Sequence, residues 1–142
     1  MKDVNRFFII AIASTFSFIS CKKKDNCSFS ESNFVGSYKI ESVTYKMSAT
    51  SPEIDGTSFI FDPCEVDDIT TFNTNHTYTY TDAGTQCTPP GDDTGTWSLN
   101  GNTLTFDGAQ QNIDSFDCTG FVFSQTDYDT PGDKVTVKLK RQ

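Results

Sequence analysis

The chain has 142 residues, with 11 basic and 19 acidic side chains, a net charge of −8 and 13% aromatic residues. The length fits one domain plus a short targeting segment, and the acidity argues against nucleic acid as a partner, since its binding needs a basic surface. Thr, Ser, Asn and Asp are frequent, a mix that disfavours helices and favours short strands joined by polar turns.

Residues 1–20 have the pattern of a secretory signal peptide. Lys2 and Arg6 precede an uncharged stretch, "FFIIAIASTFSFIS", that ends in small residues. A lone membrane-spanning helix needs about 20 apolar residues, so this stretch is too short to be one. A charged start, a short apolar run and a small-residue end indicate export and removal of the segment.

The end of that segment, Phe18-Ile19-Ser20-Cys21, resembles a bacterial lipobox. The resemblance implies cleavage after Ser20, a diacylglycerol on the Cys21 thiol and a third acyl chain on the freed amine. Two or more chains anchor stably, because each buried CH₂ contributes about 0.8 kcal/mol. We therefore expect a cell-envelope protein held in the membrane through Cys21, in the outer membrane rather than the inner one. Residues 21–33, charged and Ser-rich, are predicted to be a flexible tether.

The other four cysteines are predicted to form disulfides, because an even number in an exported chain is typical of them. Three pairings are compatible with the sequence. Cys64 precedes a predicted strand pair and Cys87 follows it, which places both at one end of that hairpin and favours Cys64–Cys87. Cys27 and Cys118 would then pair and hold the N-terminal segment. A metal site is disfavoured, since there is no Cys-x-x-Cys and only one histidine.

Residues 34–142 are predicted to form about eight antiparallel strands. The first, "GSYKIESVTYKM" over residues 36–47, changes its inward parity near Glu41-Ser42, which predicts a β-bulge. Residues 48–66 are predicted to be irregular. Phe72 ends the next strand, and Tyr78 and Tyr80 share a face of the one after it.

Five further strands follow the loop "QCTPPGDD", whose two prolines cannot continue a ladder. "TGTWSLNGNTLTF" predicts a hairpin with a type I′ turn at Asn100-Gly101. "QNIDSFD", "TGFVFSQTD" and "KVTVKLKR" complete the set, the last with its lysines outward. One face of each strand is apolar and one is polar, so we predict an all-β, up-and-down barrel that closes and leaves no exposed edge.

Two stretches resemble a known family. Gly36-Ser37-Tyr38 resembles the Gly-x-Trp that opens lipocalin-like domains, with Tyr38 at the Trp position. The order of cysteine, acidic pair, Thr-Phe strand, Tyr-rich strand, cysteine and Gly-Thr-Trp in residues 62–97 is similar to small lipocalin-like lipoproteins of Gram-negative bacteria. The resemblance covers residues 34–141 and implies a barrel whose interior holds a small hydrophobic ligand.

Six aromatic residues are the predicted lining of that pocket: Tyr38, Tyr78, Tyr80, Trp97, Phe106 and Phe121. The same rings could instead fill the interior, since an eight-stranded barrel is only just wide enough for one ligand. The alternative is then a filled barrel that serves as an accessory or protein-interaction module at the cell envelope. An apolar cavity of about 300 Å³ or more would favour the ligand.

No catalytic constellation is evident. His76, the sole histidine, has no nucleophile or orienting group suggested by a motif. "DYDTPGD" begins like a calcium loop, but Pro131 occupies a ligand position and Lys138 stands where the closing Glu belongs, so a hairpin turn is favoured. We therefore expect no enzymatic activity, no bound metal and no cofactor.

Overall fold

The computed structural model describes residues 27–142. The predicted signal peptide, the lipidation site Cys21 and residues 21–26 of the predicted tether lie outside the described residues. Those assignments stay predictions.

The described chain consists of two single-turn helices and nine strands. In chain order they are α1 Glu31–Phe34, β1 Gly36–Lys46, β2 Ile54–Asp55, α2 Thr57–Ile60, β3 Ile69–Phe72, β4 Thr77–Thr81, β5 Asp93–Asn100, β6 Thr103–Phe106, β7 Ala109–Phe116, β8 Gly120–Thr126 and β9 Lys134–Arg141. No helix in residues 27–142 is long and apolar enough to span a membrane.

Eight of these strands form a closed barrel. From β3 to β9 each strand pairs antiparallel with the next, β3 also pairs with the start of β1, and β9 pairs with β1 to close the ring. The two-residue strand β2 is extra, and it adds to the end of β1. This confirms the prediction of an all-β, eight-stranded antiparallel barrel.

The predicted bulge in β1 is also confirmed. Ile40 pairs with Leu139 and Ser42 with Lys138, so the register shifts between them and Glu41 has no partner. Because a bulge reverses parity, Tyr38 before it and Val43 after it both lie buried. One long strand therefore contributes to the core along its whole length.

The β5–β6 turn differs from the prediction. Asn100 pairs with Thr103, so the two loop residues are Gly101 and Asn102. Of these only Gly101 has a positive φ, 59°, the pattern of a type II′ turn with Gly first. The dipeptide signal was right about a tight turn, but its position was wrong by one residue. The type I′ pattern instead occurs between β6 and β7, at Asp107-Gly108, where both φ values are positive.

The prediction that residues 48–66 are irregular is wrong in part, because they contain β2 and α2. Both disulfides favoured by the sequence are present, Cys27–Cys118 and Cys64–Cys87. The second joins the segment before β3 to the loop after β4, as the hairpin layout predicts.

One end of the barrel, here named the closed end, is where β1 begins and β9 ends. Helix α1 places Phe34 there, fully buried, with its ring 4.9 Å from Phe72 and 5.0 Å from Phe121 between centroids. Phe29 packs on Phe34 and on Phe116. The segment from residue 27 to residue 35, most of which the sequence assigned to the tether, thus contacts the barrel in the structure.

The Arg141 side chain connects the segment before β1 to the end of β9 at the closed end. The Arg141 guanidinium lies 5.1 Å from the Tyr38 ring centre and donates to the Tyr38 hydroxyl at 2.8 Å and to the Val35 carbonyl at 2.9 Å. Gly36, with φ +149°, leaves the room for it, because a Cβ there would come 2.7 Å from an Arg141 nitrogen. The Gly-x-Tyr pattern therefore has a packing explanation.

Candidate ligand-binding cavity

The barrel interior is empty toward its other end, here named the open end, where β1 ends and β9 begins. A cavity of about 490 Å³ lies there. Most of its lining is aliphatic or aromatic: Tyr38, Ile40, Phe61, Phe72, Tyr80, Leu104, Phe106, Ala109, Phe121, Phe123, Val137 and Leu139, joined by the polar residues Glu65, Asp68, Thr70, Gln110, Gln111 and Gln125. The volume lies within the range of about 300–1,000 Å³ that small-molecule pockets occupy.

The cavity has a packed floor and a solvent-exposed rim. Tyr38, Phe72 and Phe121 belong to the buried aromatic cluster around Phe34 and form its floor. Ala109 and Gln125, at the far ends of β7 and β8, are exposed. A ligand could therefore enter from the open end without unfolding the barrel.

The segment before β3 gives the cavity an acidic wall. Glu65 and Asp68 lie just before β3, and both line the cavity. Asp68 is only 4% exposed, and it accepts hydrogen bonds from the Tyr80 hydroxyl at 2.6 Å and from the Ala83 backbone N–H at 2.9 Å. Buried carboxylates are rare unless hydrogen-bonded or paired. These two hydrogen bonds therefore compensate part of the cost of burying the Asp68 carboxylate.

A second cavity, here named the side pocket, adjoins this wall. Its volume is also about 490 Å³, and it shares Glu65, Asp68, Tyr80 and Phe106 with the first. Its other lining residues are Asp62, Cys64, Tyr78, Cys87, Thr88, Pro89, Gly91 and Asp93. The Cys64–Cys87 disulfide thus holds together the two loops that build this side of the open end.

The tyrosines at this side donate to carboxylates. Tyr78 donates to Asp107 at 2.5 Å, and Tyr80 donates to Asp68. Burial, followed by the hydrogen bond to the neighbouring carboxylate, raises the pKa of Tyr78 and of Tyr80 well above its ordinary value. Both side chains are therefore neutral hydrogen-bond donors at physiological pH.

The structure distributes the six predicted lining residues over three places. Tyr38, Tyr80, Phe106 and Phe121 line the cavity, and Tyr78 lines the side pocket. Trp97 lies in the aromatic cluster of the closed end, 5.7 Å from the Phe34 ring, and its Nε1 donates to the Asn73 carbonyl at 3.0 Å. The ligand-binding role of the six stays a prediction.

Sequence reasoning missed Glu65 and Asp68. In the sequence Asp68 is the second residue of an acidic pair before β3, where a carboxylate is usually solvent-exposed. A signal was present, since Asp68 has the same parity as Thr70 and Phe72, whose side chains face inward on β3. Extending the period of two back by one step would have placed this carboxylate inside the barrel.

Two further candidates from the sequence, His76 and the stretch "DYDTPGD", lie outside the cavity lining. His76 is exposed beside Glu31, with Nδ1 3.5 Å from a carboxylate oxygen. "DYDTPGD" connects β8 to β9 as a turn, and its Asp133 is buried and accepts from the backbone N–H groups of Tyr128 and Thr130. Among residues 27–142 no group of three or more His, Cys, Asp or Glu side chains could hold a metal ion.

A closed antiparallel barrel with an apolar interior cavity defines a ligand-binding class of fold. The family model described as "Lipocalin-like domain" matches residues 34–127. The chain therefore belongs to the lipocalin-like domain family, whose fold is generally a binding fold rather than an enzymatic one. No curated protein and no solved structure matches the chain.

Proposed function

We propose that this protein is a lipid-anchored binding protein of the cell envelope that holds a small hydrophobic molecule in the cavity at the open end. The observation that carries the proposal is the apolar cavity of about 490 Å³ inside a barrel of a binding family. The alternative is a filled barrel that acts as an accessory module. Such a barrel would be packed at both ends, whereas this interior is packed only at the closed end.

The cavity suits an unbranched or compact molecule of about ten carbons. Burying ten methylene groups would contribute about 8 kcal/mol, equivalent to a dissociation constant of about 1 µM before the cost of association is subtracted. After an association cost of about 4 kcal/mol is subtracted, a submillimolar to millimolar dissociation constant is the expected range for a simple ten-carbon compound.

The anchor would reach the barrel from the side opposite to the cavity. Cys27, six residues after the predicted lipidation site, is bonded to Cys118 at the closed end, where Phe116 meets Phe34. A lipid on Cys21 would thus leave the open end directed away from the membrane to which the protein is attached. Replacing Cys21 with Ser should release the protein from membranes, and unchanged membrane fractionation of Cys21→Ser would remove this part of the proposal.

Binding can be tested with decanol, a neutral ten-carbon probe, by calorimetric titration of the purified barrel. Thr70→Trp, on the cavity side of β3, should fill the site and lower the affinity at least about tenfold, because a side chain then occupies the space of the ligand. Thr79→Trp is the matched control, because Thr79 alternates on β4 with the lining residue Tyr80 and is itself among the lining residues of neither cavity.

The two variants together decide the site. Decanol binding that Thr70→Trp abolishes and Thr79→Trp leaves intact would support a ligand inside the barrel. Equal loss in both, or no binding of decanol to the unmodified protein, would contradict it.

A further inference from the structure

The charges in the cavity wall are of one sign. Of its 18 lining residues, only Glu65 and Asp68 are ionisable as acids or bases in the ordinary pH range, and both are carboxylic acids. Among residues 27–142 no Lys, Arg or His lines the cavity. An anionic head group, such as a fatty-acid carboxylate, would therefore enter a low-dielectric site with no counter-charge and with two like charges beside it.

Asp68 is a buried carboxylate without a cationic partner in the described chain. The ion pairs of residues 27–142 involve Glu31, Glu41 and Glu53, and none includes Asp68 or Glu65. An ionised carboxylate offers about four lone-pair positions, and Asp68 uses two of them, for Tyr80 and Ala83. Within residues 27–142 Asp68 therefore has two hydrogen bonds but no ion pair.

The same side of the open end extends this negative field. Asp62 and Asp93 line the adjoining side pocket, which shares Glu65 and Asp68 with the main cavity. The Asp62 backbone N–H donates to Glu65 at 2.8 Å, which fixes the Glu65 carboxylate near the cavity. A positive group placed at the shared wall would lie beside Glu65 and Asp68, and the side pocket adds Asp62 and Asp93 to the same negative field.

Aromatic rings accompany the acids. Phe61, Tyr80 and Phe106 line the cavity together with Glu65 and Asp68. Ammonium groups are attracted to aromatic faces as well as to carboxylates, and desolvated sites strengthen both effects. The wall thus combines the two chemistries that recognise an organic cation.

We propose that the ligand is a cationic amphiphile, with an apolar body of about ten carbons in the cavity and one ammonium group at the wall formed by Glu65 and Asp68. This rests on the proposed function and names the chemical class that the same cavity selects. Neutral molecules of the same length bind more weakly, and carboxylates bind most weakly.

Three probes with the same chain test the charge preference: decyltrimethylammonium, decanol and decanoate, each titrated below its micelle concentration at neutral pH and low salt. The expected order of affinity is ammonium, alcohol, carboxylate, with about tenfold or more between the first and the last. Decanoate binding as tightly as the ammonium would overturn the inference while leaving the proposed function standing. Failure of all three probes would remove the proposed function, and this inference with it.

A pair of charge-matched variants locates the effect. Glu65→Gln should lower the affinity for the ammonium by about fivefold to tenfold and change the affinity for decanol by much less, because only the ammonium interacts with the wall charge that is lost. Glu31→Gln removes the same charge from the exposed closed end and should change neither affinity. Equal weakening of ammonium binding by both variants would show a general effect of net charge and would overturn the assignment to this wall.

Discussion

The two ends of this barrel use similar side chains for opposite purposes. At the closed end Phe34, Phe72 and Trp97 pack ring against ring, and Phe34 comes from a helix outside the strands. At the open end Phe61, Phe106 and Phe123 line empty space. The difference arises because Phe34 of α1 is inserted into the closed end and fills it. At the open end the segment before β3 contributes only to the cavity wall.

The tyrosines differ between the ends in the same way. Tyr38 at the closed end receives a hydrogen bond from the Arg141 guanidinium, whereas Tyr78 and Tyr80 donate to carboxylates. Burial raises the pKa of Tyr38, and the nearby guanidinium lowers it in part. At the closed end the tyrosine is therefore packed against a cation. At the open end the carboxylates Glu65 and Asp68 lie beside a cavity and have no cationic partner in the described chain.

The largest expected contrast concerns the disulfides. Cys27–Cys118 closes a separation of 91 residues and Cys64–Cys87 one of 23, so the chain-entropy model gives contributions of about 4.6 and about 3.4 kcal/mol. Replacing each pair with Ala should lower the free energy of unfolding in that order, as measured with urea. Only loss of Cys64–Cys87 should also weaken decanol binding, because that bond joins two loops of the open end. Weaker decanol binding in a folded Cys27→Ala/Cys118→Ala variant would break the proposed division between the ends.

Phe34→Ala should cost about 3–5 kcal/mol, because it leaves a cavity among six neighbouring rings that cannot collapse onto it. Phe59→Ala is the matched control: Phe59 is 67% exposed on α2, and its removal should change stability by about 0.5 kcal/mol at most. Urea unfolding followed by Trp97 fluorescence would measure both. A Phe34→Ala cost as small as that of Phe59→Ala would mean that the helix does not close the barrel.

Arg141→Lys should destabilise the protein by about 1–3 kcal/mol, since an ammonium cannot donate to Val35, Asn33 and Tyr38 together as the guanidinium does. Lys138→Ala, which breaks an exposed ion pair with Glu41, should cost no more than about 1 kcal/mol. Thermal unfolding of both variants gives the comparison. Equal costs would indicate that the Arg141 contacts contribute no more than a surface pair does.

The smallest effect is on pH dependence. The hydrogen bond from Tyr78 lowers the pKa of Asp107 below its ordinary value, so the stability that it contributes is complete above that ordinary value and is lost as the pH falls through the lowered pKa. Tyr78→Phe should therefore show a shallower loss of stability on acidification below about pH 4. Urea midpoints at pH 3 and pH 6 measure it, and an unchanged pH dependence would argue against this pair as the cause.

The alternation of apolar residues predicted the barrel, the bulge at Glu41-Ser42 and the hairpin that brings Cys64 to Cys87. A period of two reports which face a residue occupies but not its depth along the barrel axis. Trp97 and Phe106 are paired positions of β5 and β6, so the alternation gives them the same face. It does not show that the Trp97 ring packs with Phe34 whereas the Phe106 ring lines the cavity.

Helix α1 could not be predicted from the sequence, and the reason is physical. Residues 31–34 form only one turn, too short for a periodic pattern, and their helix is stabilised by packing of Phe34 rather than by helix propensity. Likewise, Asp68 looks like a loop charge until the fold places it between Tyr80 and Ala83. Tertiary contacts, not local preference, determine both.

The central claim is that a ligand occupies the open end alone. Intermolecular NOEs between the protons of bound decanol and the protein methyl groups test it directly. The account predicts NOEs to Leu104, Val137 and Leu139, which line the cavity, and none to Ile113, which is buried in the interior cluster but not part of the lining. Contacts to Ile113, or contacts confined to the exposed Met47 and Ile54, would contradict it.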